Sequence, residues 1–418
     1  MLIYLKIKNF RSIKDERVFS MEASSIKELR SSVYNVRDHK LLPVAVFYGA
    51  NSSGKTNILL ALQKMRRLVL RSVKLNPGDK LDYEPFELNN HTLSEPTMFE
   101  VQFISDTTIY RYGFEYDKDI IYKEWLFEKQ EKQKEYNLFA RVESNFDISK
   151  TRFPEGLGKE ESTETNRLFI SLVAQLKGAK AKLILDWFKN SNVITGLDTE
   201  GYEGITIEML KNNKEGSKQA LDFFHHLQLG FNNIVFIERK FSEVAELLSH
   251  TDTELLEKYK DETVIETLTT HNVYNDDKVV VSQRNFSKDK KESEGTKKII
   301  EISGPLFDTL INGKVLFVDE LDAKLHPLLT ISIVKLFMNK NTNPKGAQLV
   351  FATHDTHLLN LSILRRDMIW FAEKDCDEST DIYSLIEFKD ENGLKVRNDR
   401  SIEKDYFNGR YGAIPFMQ

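Results

Sequence analysis

One eight-residue segment, residues 49–56, restricts the fold of this chain more than any other. It reads Gly-Ala-Asn-Ser-Ser-Gly-Lys-Thr and follows a short apolar run at 43–48. Apolar residues then recur at helical spacing from Lys55 to Leu70. A buried strand, a glycine loop and a helix in this order let consecutive backbone N–H groups and the positive helix end face an anion. The segment therefore predicts a phosphate-binding loop on a parallel sheet of an α/β protein.

The residue types within this loop suggest separate roles. Lys55 would reach the β- and γ-phosphates of ATP and act in catalysis, and the Thr56 hydroxyl would bind Mg²⁺. The alternative is an ordinary glycine turn before a helix. The candidate nucleotide-binding residues of this segment are Gly49, Asn51, Ser52, Ser53, Gly54, Lys55, Thr56 and Asn57.

A second strand pattern ends in two acids. Lys314 to Val318 is mostly apolar and runs directly into Asp319 and Glu320. The carboxyl ends of parallel strands face the ligand crevice, so Asp319 is expected near Thr56 as a second Mg²⁺ ligand. Glu320 would polarise the attacking water as a general base. The alternative is a strand that ends in solvated acids.

The rest of the pattern suggests one ATPase domain split by an insertion. Strands are predicted at Leu2–Ile7 and Lys14–Phe19, and three more in a meander over Phe99–Phe127. The stretch 166–260 reads as mainly helical, with a strand at 233–238. After it, helices and strands alternate: the predicted helices are 296–310, 325–338 and 356–361, and the predicted strands are 315–318, 348–352 and 368–371. Lys55 and Asp319 lie 264 positions apart, so we expect the domain in two parts, 1–135 and 285–418, around a mainly helical insertion at 136–284.

Composition excludes several classes of protein. With 40% hydrophobic residues among 418, the chain is too core-forming for a disordered protein. Its single cysteine, Cys376, cannot form an intramolecular disulfide, and no stretch approaches the roughly 18 apolar residues of a membrane span. We expect a cytoplasmic protein with no membrane partner. The net charge of −5 disfavours a chain that mainly coats nucleic acid.

Several short segments together resemble the ABC-type ATPases, the group that contains SMC proteins, RecF and the OLD family. Ser293–Thr296 (S-E-G-T) resembles the signature motif of that group, and the combination is similar to stand-alone RloA/abortive-infection ATPases. The resemblance covers about 1–135 and 285–418. The other matching segments are 9–12 (N-F-R-S), 319–327 (D-E-L-D-A-K-L-H-P), 348–354 (Q-L-V-F-A-T-H), 370–374 (W-F-A-E-K) and 406–415 (Y-F-N-G-R-Y-G-A-I-P).

This resemblance implies an α/β P-loop NTPase fold, an ABC-ATPase-like head with a parallel or mixed sheet and an N-terminal antiparallel β subdomain. It implies that Ser293 and Gly295 bind the γ-phosphate of ATP held by a second copy, so that the chain works as a head-to-head dimer or a higher homo-oligomer. It also implies that His354 senses the γ-phosphate and that Asp322 communicates across the dimer. Arg11 would touch the nucleotide.

Each of these assignments has a plainer alternative. Ser293 is also a good helix N-cap, a histidine after a strand is often structural, and Arg11 suits a surface salt bridge. His326 and His357 read as a turn residue and a helix-face residue. The family's Q-loop glutamine has no clear counterpart, and Gln102 is the candidate.

The lysine runs at 288–291 and 297–298 frame the signature. They would either meet a phosphate backbone or form a solvated flexible loop.

Three functions compete at this stage. The resemblance implies an ATP-hydrolysing switch that controls a separate effector, commonly a nuclease encoded nearby, in phage defence or abortive infection. The alternative is a DNA-maintenance ATPase of the RecF or SMC kind that clamps nucleic acid. Missing coiled-coil heptads and the acidic balance count against it. The third is a non-catalytic ATP-binding scaffold, against which Glu320 argues.

Overall fold

The structure is a computed structural model that describes residues 1–130, 133–242, 261–389, 393–398 and 400–414. It divides the chain into two compact units. The first unit contains Met1–Leu197, Asn312–Ala323 and Thr330–Gln418, and the second contains Asp198–Ile311 and Lys324–Leu329. Both ends of the chain therefore contribute to the first unit. Within the described residues, none of the helices has the length and apolar character needed to cross a membrane.

An antiparallel sheet of seven strands begins the first unit. Its order is β10-β9-β8-β7-β6-β1-β2, and β6, β7 and β8 form the predicted meander. The strands are β1 (Leu2–Lys8), β2 (Arg17–Ser20), β6 (Thr97–Ser105), β7 (Thr108–Tyr116), β8 (Ile121–Lys129), β9 (Glu135–Val142) and β10 (Asn145–Ile148). A small hairpin, β3 (Tyr34–Val36) and β4 (His39–Leu41), lies between β2 and the next sheet along the chain.

A mixed sheet of six strands carries the phosphate loop. Its order is β11-β15-β16-β5-β17-β18, and every neighbouring pair is parallel except β17 and β18. β5 lies near the centre, and all five of its residues are buried, as an inner strand covered on both faces requires. The strands are β5 (Val44–Tyr48), β11 (Ser191–Thr195), β15 (Val315–Asp319), β16 (Gln348–Ala352), β17 (Ile369–Lys374) and β18 (Thr380–Ser384).

Two kinds of contact join these sheets. The Phe19 ring on β2 lies 5.1 Å from the ring of Phe47 and 5.2 Å from that of Trp370, which places β2 on a face of the six-stranded sheet. Gln348 is fully buried, and its side-chain amide donates to the carbonyl oxygens of Leu2 and Leu42. Aromatic packing and one satisfied amide thus fix the two sheets together.

The helices of the first unit are α1 (Lys55–Arg71), α2 (Phe169–Gln175), α3 (Ala179–Lys189) and α9 (Ile402–Phe407). α1 buries the apolar face that the sequence predicted, including Ile58, Leu62 and Met65. α8 (Pro327–Met338) begins in the second unit and continues into the first.

The second unit combines a three-stranded antiparallel sheet with helices. The sheet order is β12-β13-β14. The elements are α4 (Glu200–Lys211), α5 (Ser217–His226), β12 (Asn233–Lys240), β13 (Thr263–Tyr274), β14 (Val280–Ser287), α6 (Lys288–Lys291) and α7 (Glu294–Asn312), whose last residue falls in the first unit.

The expected domain boundaries differ from this division. The boundary at 135/136 falls at the first residue of β9, because β9 pairs with β8 and β10 pairs with β9, so that the meander continues to Ile148. The region 136–284, expected to be mainly helical, holds β9 to β14 beside α2 to α5. Residues 131–132, and residues 243–260 of the predicted helical stretch, lie outside the described residues. The unit boundary falls at Leu197/Asp198.

Two smaller predictions were also inexact. The helix expected at 356–361 is a single 3₁₀ turn, Thr356–Leu358, which the Asp355 side chain caps by accepting from the His357 N–H. The strand expected at 14–19 begins only at Arg17, because Phe10 and Ile13 close a tight bridge ahead of it.

Candidate functional site

The phosphate loop connects β5 to α1, and its two glycines are required by their surroundings. A Cβ on Gly49 would lie 2.3 Å from the Ala372 carbonyl oxygen. Gly54 has φ +100°, and a Cβ there would lie 2.1 Å from the Thr380 hydroxyl. A left-handed backbone and close neighbours leave room only for glycine at position 54.

Three polar side chains around the loop fix its path. The Thr380 hydroxyl donates to the carbonyl oxygen of Ser53 at 2.9 Å and lies 2.7 Å from the hydroxyl of Ser12. The Asn57 amide donates to the same Ser12 oxygen at 2.7 Å. The Asn57 side chain, predicted to bind nucleotide, therefore helps to hold the loop through its bond to Ser12. Ser12 lies in the N-F-R-S segment, but no sequence signal marked Thr380.

Lys55 lies across the loop that it follows. Its Nζ donates to the carbonyl oxygens of Gly49 at 2.8 Å and Ala50 at 3.0 Å. Burial lowers the pKa of Lys55, and the carboxylates of Asp319, Glu320 and Asp322 oppose that shift. The ammonium is thus held within the loop and within electrostatic range of the acids at the end of β15.

Asp319 is the last residue of β15, and its carboxylate reaches the loop. The Thr56 hydroxyl lies close to this carboxylate, whose Oδ1 is buried without a hydrogen-bond partner in the described residues. Burial raises the pKa of Asp319, and the Thr56 hydroxyl and the Lys55 charge oppose the rise. An unsatisfied buried carboxylate oxygen next to a hydroxyl is a donor set that fits Mg²⁺, which takes few protein ligands and completes its shell with phosphate and water.

Glu320 and Asp322 follow in a tight turn after β15. Glu320 has φ +52°, an uncommon conformation for a residue other than glycine and one that recurs at functional sites. The Leu321 N–H donates to the Ala352 carbonyl at 3.2 Å, and the Asp322 carboxylate accepts from the His354 N–H at 3.3 Å. The ends of β15 and β16 are thereby joined.

His354 belongs to the same cluster. Burial and the nearby Lys55 charge lower the pKa of His354, and the carboxylates of Asp322, Glu320 and Asp319 oppose the shift. A neutral imidazole is favoured, which can accept or donate a proton. Within the first unit the structure thus brings together the predicted residues Lys55, Thr56, Asp319, Glu320, Asp322 and His354.

The loop after His354 is held by contacts that the sequence did not reveal. The Tyr48 hydroxyl, one residue before the phosphate loop, donates to the Asp355 carbonyl at 2.9 Å. The Thr356 hydroxyl donates to the Glu403 carboxylate of α9 at 2.9 Å. The segment 406–415, which is part of the resemblance, begins within α9, the helix that contacts this loop. Pro415 itself lies outside the described residues.

Other candidates have different partners from those expected. Arg11 donates to the Glu84 carboxylate at 2.6 Å, the surface salt bridge that was the alternative for this residue. Gln102 lies within β6, in register with Arg111 of β7. The His326 ring accepts from the Leu328 N–H at the start of α8, and the His357 ring bonds to the Asp355 carboxylate.

The signature segment lies in the second unit, where Ser293 is the N-cap of α7. Its hydroxyl accepts from the Thr296 N–H at 3.2 Å. A Cβ on Gly295 would lie 3.0 Å from the Lys324 carbonyl oxygen, so a small residue is needed there. Lys288, read as part of a solvated run, is 1% exposed and pairs with Glu301 at 2.8 Å, so the solvated-loop interpretation is wrong for this residue.

Fold and site together define a P-loop protein of the α/β class, with a mixed sheet that carries the loop and an antiparallel β sheet at the start of the chain. Residues 44–360 match the family model described as "AAA domain, putative AbiEii toxin, Type IV TA system", and the chain belongs to this family. The chain has no significant match among curated proteins.

Several solved structures are similar to this chain at low identity. An SMC head bound to the C-winged helix domain of ScpA is 14% identical with a TM-score of 0.47, covering 92% of this chain and 97% of that one. The SMC head domain from Thermotoga maritima is 12% identical (TM-score 0.41, 92% and 98% covered). The recombination mediator RecF with ATP is 16% identical (TM-score 0.32, 91% and 97% covered). Likenesses this weak say nothing about the activity of this chain.

Proposed function

We propose that this chain is an ATP-hydrolysing switch that dimerises through shared ATP sites and controls a separate effector. The observation that carries the proposal is the closeness of the Thr56 hydroxyl to Asp319 beside the phosphate loop, where one buried oxygen of the carboxylate has no partner among the residues that the structure describes. Membership of the AbiEii-type family supports a role in abortive infection or a related anti-phage defence. The separate effector in this proposal is a nuclease encoded nearby.

Each residue of the site has a role in this proposal. Lys55 leaves its two carbonyl partners to bind the β- and γ-phosphates. Glu320 orients the attacking water and accepts its proton, and neutral His354 contacts the γ-phosphate. Mg²⁺, held by Thr56 and Asp319, would neutralise charge on the phosphates when it is bound with ATP.

Closure by a second copy would complete the site. Ser293 and Gly295 at the start of α7 offer a hydroxyl, backbone N–H groups and a positive helix end to the γ-phosphate bound by the other protomer. Asp322, which joins the ends of β15 and β16, would transmit the state of one site to the other. ATP binding would therefore drive assembly, and hydrolysis would reverse it.

Glu320→Gln tests this function. Without the general base, bound ATP should persist and the dimer should accumulate, with turnover lowered by a factor on the order of 10²–10⁴. Size-exclusion chromatography with light scattering and a phosphate-release assay measure both effects. Glu378→Gln is the matched control, because Glu378 is an exposed glutamate with a similar φ of +62°. Unchanged turnover and assembly in Glu320→Gln would contradict the proposal, and a wild-type chain that binds ATP without turnover would favour the scaffold alternative.

One observation favours the second candidate, a DNA-maintenance ATPase that clamps nucleic acid. A cavity of about 500 Å³ beside α1 is lined by Arg66, Arg67 and Arg71 among others. Arg66 and Arg71 form no ion pair within the described residues, and the Arg66 Nε donates to the Phe188 carbonyl at 2.9 Å. Burial and the Arg71 charge lower the pKa of Arg66. Guanidinium groups without a carboxylate partner suit phosphodiesters. ATP-stimulated, strongly salt-dependent DNA affinity that Arg71→Ala weakens would support this candidate.

A further inference from the structure

The signature segment is preceded by a carboxylate that is almost completely buried. Glu292, whose side chain is 7% exposed, comes directly before Ser293. The Ser293 hydroxyl accepts the Thr296 N–H and so moves with the start of α7. The position of the segment relative to its surroundings therefore depends on what holds Glu292, because a buried carboxylate must be compensated to be stable.

Two side chains of β13 hold this carboxylate. His271 lies with its Nε2 2.8 Å from Glu292 Oε1, and the Thr269 hydroxyl donates to the same oxygen. Thr269 and His271 are two positions apart, so they lie on one face of the strand. The Phe286 ring of β14 packs against the imidazole with centroids 5.1 Å apart. Strand β13 thus fixes the residue that leads into the signature.

A second anchor lies at the other end of the same short stretch. Lys288 is 1% exposed and pairs with Glu301 of α7 at 2.8 Å and with Glu203 of α4 at 2.9 Å. The Glu292 N–H donates to the Lys288 carbonyl at 3.1 Å. The stretch 288–296 therefore has one anchor on the helices and one on the sheet. The anchor on the sheet is the nearer to Ser293.

We propose that His271 is a positioning residue for the ATPase reaction: through Glu292 it holds the signature segment in the orientation that the γ-phosphate of a second copy requires. This inference rests on the proposed function. His271 touches no reacting atom, and its effect should appear in kcat, whereas binding of ATP to the phosphate loop of the same chain should be unaffected.

The test compares His271→Ala, which removes the contact with Glu292, with Glu292→Gln, with the wild type and with His271→Gln, which can donate from a similar position. We expect kcat to fall about tenfold in His271→Ala and in Glu292→Gln, since each loses the charge-assisted bond that holds the segment. His271→Gln should keep more of the wild-type kcat than His271→Ala. The Kd for ATP should not change, and Glu292→Asp should recover part of the loss. His225→Gln, at an exposed position in the same unit, is the control.

Turnover is expressed per ATP-binding site, so partial unfolding of a variant does not imitate the effect. If His271→Ala and Glu292→Gln keep the wild-type kcat, the positioning role is wrong. A fall in kcat that neither His271→Gln nor Glu292→Asp reduces, and that comes with an equal weakening of ATP binding, would also overturn it, because a merely structural contact would behave in that way. If the wild type itself shows no ATP turnover or assembly, the proposed function fails instead.

Discussion

Glycine at position 54 matters for two separable reasons, its left-handed backbone and its contact with Thr380. Gly54→Ala should lower the free energy of unfolding by about 2–4 kcal/mol, since strain and overpacking add. Gly78→Ala is the matched control: Gly78 has φ +84° with no atom near its would-be Cβ, so strain alone should cost about 1 kcal/mol. Urea denaturation of both variants measures the difference in the free energy of unfolding. Equal decreases in the two variants would show that the contact with Thr380 does not contribute.

The second residue of the signature, Glu294, carries a pH prediction. Lys297 and Lys324 pair with its carboxylate and lower the pKa of Glu294 to about 2. The folded pKa lies below the unfolded one. The pairing therefore favours the folded state above the unfolded pKa, near 4.3, and this contribution disappears as pH falls toward 2.

Carboxyl ¹³C NMR of the glutamate-labelled protein should show one titration midpoint near 2 that moves upward in Lys324→Met. The exposed Lys290→Met serves as the control. A Glu294 midpoint at the ordinary glutamate value in the wild type would contradict the pairing.

At the scale of elements, α9 supports the loop that carries His354. The Thr356–Glu403 bond and the Tyr48–Asp355 bond hold this loop between the helix and the end of β5. Glu403→Ala should therefore reduce kcat by about three- to tenfold with little change in the Kd for ATP. Lys404→Ala, an exposed neighbour on the same helix, is the control.

A double-mutant cycle with Thr356→Val checks the contact directly. If the bond acts through the loop, the double variant should be no worse than Glu403→Ala alone, whereas additive losses would mean that the two side chains act independently.

The same elements show which parts of the fold can be predicted from local sequence patterns. β5, α1, β15 and β16 were predicted because apolar runs and helical periodicity are local signals, and the glycine loop is a local motif. β9, β10, β13 and β14 were missed because their side chains are largely polar or exposed, so alternation was weak; β14 is exposed at six of its eight residues. Thr380 and Glu403 act on the site across more than 40 intervening residues, a distance at which no local pattern reports a contact.

At the scale of the whole molecule, the proposal requires each ATP site to combine the phosphate loop of one copy with the signature of another. Lys55→Ala inactivates the phosphate loop. Gly295→Asp inactivates the signature, because an acid beside the Lys324 carbonyl would repel phosphate. Each variant alone should be inactive. A heterodimer of the two variants has two sites. Both mutations fall in one of these sites, so both halves of the other site are intact.

Random mixing makes half of the dimers heterodimers, each with one intact site of two, so equimolar mixtures should recover about a quarter of wild-type ATPase activity. The phosphate-release assay detects this gain, and mixing Lys55→Ala with itself at the same total concentration sets the baseline. A chain that hydrolyses ATP as a monomer would give no recovery at any ratio. Full wild-type activity in Gly295→Asp would show that the signature segment takes no part in the site.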